Sequence, residues 1–434
     1  MGRWRAGTAG LALGVWTALG AACDSGKIHP TTQPDVEDTA PPSDEAPVPL
    51  EPLPGDARWT VHTAQTGRQD VAAVAPDGSG GVIVLGMSEA LAPDSTAVDP
   101  NGTSLTLARH DEKGQRLWSR SFTPEPRQGG VADVDAPRLA VSLTGDIFLS
   151  GRVTGQLRLG DSVITDSGFV AKLAPDGSPL WARPVSPVRA LLPQGDGAVV
   201  VAHGLVVERF DSQGTPRWSR EVPAVASASV VALDGEGGVV MAGQKPTGPF
   251  ESQGFIARLS PDGEVRWERE VGPSAPNFTD VSFRADGSFV FTGELTGMLT
   301  WGRDTSEMAC VPRGCTRSVF ALAADAYGEP LWAHVLDGED SDGARLAVDA
   351  EGGAAVVWRH GCGSALARLS STGELLWQSF YVTTPCRANT WLRDATFLPD
   401  GDVVGAGLFS GTRAFGPQSF TADDTDVFLQ RLVP

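Results

Sequence analysis

The stretch FVAKLAPDGSPLW, residues 169–181, reads as a short apolar strand, a turn closed on Gly177 and a second strand carrying Trp181. Glycine four positions ahead of a tryptophan recurs seven times, as Gly55/Trp59, Gly114/Trp118, Gly177/Trp181, Gly214/Trp218, Gly263/Trp267, Gly328/Trp332 and Gly373/Trp377. Similar apolar runs precede five of the other six pairs, among them TLARHDEKG, VVERFDSQG, FIARLSPDG and ALARLSSTG. A second hairpin lies ahead of the first in each unit, as in LAVSLTGDIFLSG, VVALDGEGGVVMAG and VSFRADGSFVFTG. Each unit thus supplies four short strands, a to d. Successive Trp residues lie 37–65 positions apart, enough for one four-stranded blade with variable loops.

The two ends complete the pattern. The chain stops at VFLQRLVP, a c strand without a d partner, and the first pair, in PGDARWTVHT, is a d strand without a c strand. Joined, they make one blade and remove the open edge of the sheet array. The expectation is an all-β fold: a single seven-bladed β-propeller of four-stranded antiparallel blades, closed by the N-terminal d strand. Each Gly is expected at positive φ in its c–d turn. Trp59, Trp118, Trp181, Trp218, Trp267, Trp332 and Trp377 are expected as structural residues between neighbouring blades. Alternating strand direction puts a–b and c–d turns at one end and b–c and d–a connections at the other. The long segments 87–103, 122–137, 294–317 and 408–425 all belong to the second set, where function on a rigid scaffold is expected.

The run VTGQLRLGDSVITDSGFVAKLAPDGSPLWARPV (residues 153–185), with weaker echoes in ELTGMLTWG and LFSGTRAFG, resembles the bacterial seven-bladed propeller repeat called SBBP. That resemblance covers about residues 58–434, implies an exported protein, and says little about function.

Arg3 and Arg5 precede an apolar stretch ending in Leu19-Gly20-Ala21-Ala22-Cys23, which has the form of a signal peptide. The exit resembles a bacterial lipoprotein lipobox, with Gly20 where an apolar residue usually stands; Gly20 and Ala22 also suit an ordinary signal peptidase. The lipobox resemblance implies lipid on Cys23 and a membrane-anchored envelope protein, and lipidation leaves four of the five cysteines, an even number. The expected organisation is a signal peptide over 1–22, a Pro/Asp/Thr-rich tether over 23–57 and the propeller over 58–434. Cys310 and Cys315 share one b–c loop; Cys362 and Cys386 fall in connections at the same end. Two disulfides, Cys310–Cys315 and Cys362–Cys386, are expected in an oxidising compartment.

The formal charge of −19 becomes −21 without the leader, which argues against a nucleic-acid partner. The six histidines show no metal-binding spacing, and HExxH, GxSxG and the Walker loop are absent. Gly160-Asp161-Ser162 is a GDS triplet inside a repeat linker and is not taken as an esterase block. Asp337, Glu339, Asp340 and Asp342 alternate ahead of Gly343 in the manner of a calcium loop, without its terminal glutamate; a solvated acidic turn is the simpler reading.

The functional expectation is a monomeric, non-catalytic envelope lipoprotein without a cofactor, binding a protein or glycan through its b–c/d–a end. The alternative is a propeller enzyme, either quinone-dependent or a polysaccharide lyase or hydrolase. The Gly-xxx-Trp hairpin, as in LSPDGEVRW, is similar to the tryptophan-docking motif of quinone dehydrogenases, which have eight blades. It also resembles the repeat in the non-catalytic propeller lipoprotein of the outer-membrane barrel-assembly machine.

Overall fold

Strand b is buried over its first five residues in every blade. In Phe289–Leu295 and its neighbour Ser318–Ala324 every residue is buried. A sheet apolar on both faces must lie between two other layers, and a ring of sheets gives every member two neighbours. The computed structural model describes residues 52–434 except 64–67, 92–97, 128–129, 223–227, 235–236, 249–250, 308–309, 312–313, 316, 337–341, 383–389 and 417.

Seven four-stranded antiparallel blades make up the propeller. Blades 1 to 6 occupy residues 68–122, 133–185, 188–221, 228–273, 277–336 and 342–381. Blade 7 takes strands a to c from Thr390–Phe397, Val403–Phe415 and Gln418–Leu432, and strand d from Ala57–Thr63. That last pairing runs in register from Trp59↔Arg431 to Thr63↔Val427. Gly55 N donates to Val433 O at 3.0 Å and Arg58 Nε to the buried Asp402 carboxylate at 2.6 Å. Seven apolar clusters fill the seven seams between blades. The closing seam sets Val74 and Val84 of blade 1 against Val404 and Leu429 of blade 7.

Each d-strand Trp but one packs on the c–d turn glycine of the following blade. A Cβ added to Gly114 would stand 3.0 Å from the Trp59 ring, and one on Gly373 would stand 2.5 Å from Trp332. Four of these indoles donate Nε1 to a carbonyl of the same turn: Trp59 to Glu112, Trp181 to Ser212, Trp267 to Ala326 and Trp332 to Ser371, at 2.9–3.0 Å. The exception is Trp218, which packs on Gly237 in the a–b turn of blade 4.

A second repeat, unread in the sequence, supports the first. The c-strand residue paired with each Trp is a cation in six blades: Arg109, Lys172, Arg209, Arg258, Arg368 and Arg431. Each is bound to an aspartate of its own a–b turn, as in Arg109–Asp77 at 2.8 Å and Lys172–Asp146 at 2.7 Å. The pair ties the a–b turn to the c strand, cross-linking the blade at its a–b/c–d end. Blade 5 has Ala323 at that place, and Arg284, from the a–b turn, sets its guanidinium 5.4 Å from the Trp332 ring centre instead. The signal is visible in the chain: outside blade 5 and the split blade 7, a cation stands nine positions before each Trp.

The long b–c segments behave differently from the sequence expectation. In blade 2, Gln156–Leu159 and Ser162–Thr165 form a hairpin that buries Leu157, Leu159 and Ile164 in the seam with blade 1. Its tip turns back down the outside, so that Gly160 lies against Pro179, at the start of strand d. In blade 5, Met298–Trp301 and Asp304–Glu307 repeat the arrangement: Leu299 and Trp301 are buried and Gly302 lies against Pro330. There the hairpin also pairs with blade 4 through Pro273↔Leu299, making a six-stranded sheet. Blade 7 extends strands b and c to Phe415, which is buried in the seam with blade 6. These insertions are seam wedges. Apolar side chains at alternate positions pull them off the b–c end and into the grooves between blades.

Candidate functional site

Strand a is the innermost strand of each blade, so one edge of its backbone faces the channel without a ladder partner. Those N–H and C=O groups need partners. Side chains from the preceding blade supply several of them. Asp394 of blade 7 accepts from Val74 N of blade 1 at 2.8 Å, and Asp280 of blade 5 from Leu346 N of blade 6 at 3.1 Å. Arg138 of blade 2 donates to Val188 O at 3.2 Å, and Arg189 of blade 3 to Ala228 O at 2.8 Å. Arg138, Asp280, Arg345 and Asp394 hold the same register, each first after a β-bulge in its strand a. The bulge turns these residues toward the axis, where four charged side chains from distant segments meet.

Their electrostatics follow from that crowding. Burial pushes the Asp394 carboxyl up to about 7, against the pull of the Val74 N–H and the Arg345 charge. Burial also raises Asp280, opposed by Arg345 and by the Leu346 N–H. Arg138 is lowered by burial and by the charge of Arg345. Each carboxylate also accepts the N–H of the residue after it, so both are committed to holding backbone.

A pH dependence follows. In the unfolded chain Asp394 ionises near 3.8, and in the fold near 7. Between those values the folded state holds the extra proton, so the stability from this group is complete below about 4 and falls as pH rises toward 7. Asp394→Asn keeps an acceptor for Val74 and removes the titration. The urea midpoint of wild type minus variant is expected to fall from pH 5 to 7 and to level off above. His110, pulled down to about 4 by burial, is common to both chains and cancels. A difference that does not change with pH would mean that Asp394 ionises in the fold as it does in the unfolded chain.

Above this layer, at the b–c/d–a end, a cavity of 650 Å³ opens between blades 6, 7, 1 and 2. Arg345, Arg359, Arg393, Trp391, Asp70 and Met87 are among its walls. Arg393 donates Nε and one terminal nitrogen to Asp70 at 3.0 and 3.2 Å, and its guanidinium lies 5.7 Å from the Trp391 ring centre. At the other end a cavity of 230 Å³ lies between Asp77 and Leu143, where Asp77 and Arg109 already neutralise each other.

The residues singled out from sequence fall elsewhere. Cys362, between strands b and c of blade 6, is disulfide-bonded. Cys386, Asp337, Glu339, Asp340 and Cys23 lie outside the described residues. Asp342 opens strand a of blade 6, and of Cys310 and Cys315 only the backbone is described, in which the two residues face each other across a short hairpin. Ser162 of the GDS triplet accepts from Ala182 N at 3.2 Å, a contact that holds the blade 2 hairpin to strand d. Among the described residues no group of three or more His, Cys, Asp or Glu is placed to hold a metal. None of the channel residues was singled out from sequence, where no carboxylate pair stands out.

Residues 103–289, from strand c of blade 1 to the start of strand b of blade 5, match the family described as outer membrane protein assembly factor BamB. The match spans under half of the chain, and the chain is similar to that family over those blades. No curated protein matches it. Solved structures resemble it at low identity. A protein of unknown function from Dyadobacter fermentans has a TM-score of 0.46 and 12% identity, over 88% of this chain and 100% of that one. The Neurospora crassa Pan2 WD40 domain has a TM-score of 0.46 and 10% identity, over 87% and 97%. A protein of unknown function from Bacteroides caccae has a TM-score of 0.35 and 13% identity, over 63% and 89%.

Proposed function

We propose that this chain is a non-catalytic binding module of the cell envelope, a lipoprotein tethered through Cys23 whose propeller engages a partner protein or glycan at its b–c/d–a end. The observation that carries the reading is the inequality of the two ends. At the a–b/c–d end, short turns are closed on themselves by backbone pairs such as Asp77 N→Gly81 O and Gly114 N→Asp111 O, and locked by the Asp–cation pairs. At the opposite end the channel opens into the larger cavity, with cationic and aromatic walls. The similarity of blades 1 to 5 to an outer membrane assembly factor supports both the envelope address and a scaffold role. The channel carboxylates bind backbone, which leaves them poorly placed as acid and base and weighs against the enzyme alternative.

Site-specific photocrosslinking in the native envelope tests this. A photoreactive residue at Val131, exposed in the d–a connection before blade 2, is expected to give one discrete crosslinked species. The same residue at Leu143, 97% exposed in the a–b turn of blade 2, is expected to give none. Equal crosslinking from both positions, or none from Val131, would count against the assigned face.

A further inference from the structure

We propose that residues 46–50 add a fifth strand to blade 6, running antiparallel along the outer edge of its strand d, Leu375–Tyr381. The inference goes beyond the binding-module reading and does not rest on it. Strand d is the outermost of the four, so alternate residues along it turn N–H and C=O groups away from the sheet. Such edges are blunted by charge, by proline or by a cover. Five of the other six outer strands carry arginine, among them Arg120 in blade 1 and Arg58 in blade 7. The sixth, in blade 5, starts on Pro330 with the tip of a hairpin against it. Strand d of blade 6, LLWQSFY, has neither charge nor proline. Its apolar side chains stand in solvent, Leu375 at 41%, Leu376 at 51% and Phe380 at 52% exposed. Among the described residues nothing pairs with its outer edge.

The segment just ahead of the described chain reads as a strand that pairs on one edge only. Ala46-Pro47-Val48-Pro49-Leu50 sets prolines at alternate positions. Successive residues of a strand point their backbone groups to opposite edges. Ala46, Val48 and Leu50 therefore offer N–H and C=O to one edge, while Pro47 and Pro49, which lack N–H, occupy the other. A residue ahead of proline is also held extended, which suits Ala46 and Val48 to a ladder. A strand of this kind covers an open edge and presents a poor one in its place. The place where the described chain begins fits the assignment. A Cβ on Gly55 would stand 3.4 Å from the Trp377 ring, so the chain enters beside blade 6. Residues 51–54 reach up to about 13 Å, enough to step to the neighbouring edge. Five residues in a strand then cover about 17 Å of it. Blade 4 already shows the arrangement: Met298–Trp301 pairs with its outer strand, Val265–Pro273, as a fifth strand. On blade 6 the chain ahead of Ala46 leaves at the b–c/d–a end, opposite to the turn that holds Gly55.

Hydrogen–deuterium exchange of the purified full chain, read by mass spectrometry, tests this. In the wild type, peptides covering Leu375–Tyr381 are expected to exchange at least about tenfold more slowly than in Val48→Pro, which removes the central donor of the pairing row. Leu50→Pro repeats the test from the end of the row. Pro49→Ala alters only the opposite row and is expected to keep wild-type protection. Strand d of blade 1, Arg116–Phe122, should exchange alike in all four chains and so reports that the fold is intact. Equal exchange over Leu375–Tyr381 in the wild type and both proline variants would overturn the fifth strand. If that exchange is fast the edge is open. If it is slow the cover is a second copy, visible by light scattering, or the connection at 383–389. Protection lost in Pro49→Ala as fully as in Val48→Pro would overturn it too, because docking would then depend on proline shape and not on a ladder. Chains lacking residues 1–50 and 1–63 both lose this strand, so a comparison between those two is unaffected.

Discussion

Deleting residues 1–63 should convert the propeller into edge-paired oligomers or aggregate. The deletion removes strand d of blade 7, so the pairs from Trp59↔Arg431 to Thr63↔Val427 are lost and Gln418–Leu432 becomes an open edge. The buried Asp402 carboxylate loses Arg58 and keeps Arg431, and Gln430 loses the Thr60 hydroxyl. The Trp59 ring also leaves the closing seam, where it covers Gly114. Removing a large aromatic from such a seam costs about 3–5 kcal/mol, before the strand's backbone pairs are counted. An unpaired apolar edge is also a template for another chain. Size-exclusion chromatography with light scattering, and the urea midpoint, read the outcome. Deleting residues 1–50 leaves every described pairing in place and is the control. A Δ1–63 chain that stays monomeric at the wild-type midpoint would refute closure by this strand.

Replacing Gly373 with alanine is expected to destabilise the protein by about 2–5 kcal/mol, from two sources. At φ +85° a Cβ is strained wherever it stands, for roughly 1–2 kcal/mol. Here it would also stand 2.5 Å from Trp332 Cδ2. The indole cannot easily retreat: it is buried, and its Nε1 donates to Ser371 O in the same turn at 2.9 Å. Gly416→Ala separates the two sources, because Gly416 has φ +61° and open space around it. It should lose only the backbone contribution of about 1 kcal/mol. Urea unfolding of the two variants should differ by at least about 1 kcal/mol. Equal losses would mean that Trp332 is free to move aside, and that blade docking does not depend on the closeness of this contact.

Much of the architecture was legible because it repeats. Gly328 with Trp332 and Gly373 with Trp377 are local pairs, set by turn geometry and by the need to cover an aromatic, so the pattern survives in one dimension. The split blade was legible for the same reason, since VFLQRLVP lacks what DARWTVHT supplies. The Asp–cation ladder was equally local and was missed because its aspartate shifts within the a–b turn, from Asp77 at its start to Asp146 at its end. The b–c insertions were identified and their roots assigned to the b–c end, but the course of their tips into the seams was not foreseen. A hairpin's root is known from strand order, but where its tip lies depends on which groove accepts Leu157 or Trp301.

The channel could not be read at all from the chain. Arg138, Asp280, Arg345 and Asp394 sit in four different blades and in strands that otherwise look alike. What makes them a cluster is ring closure, which carries the first and last blades together and turns seven inner edges onto one axis. Blade number, strand order and the split unit follow from local turn chemistry and periodic burial, which every repeat carries within itself. The mouth and its three guanidinium groups follow from long-range packing, because their positions depend on the curvature of the whole ring and on no single repeat.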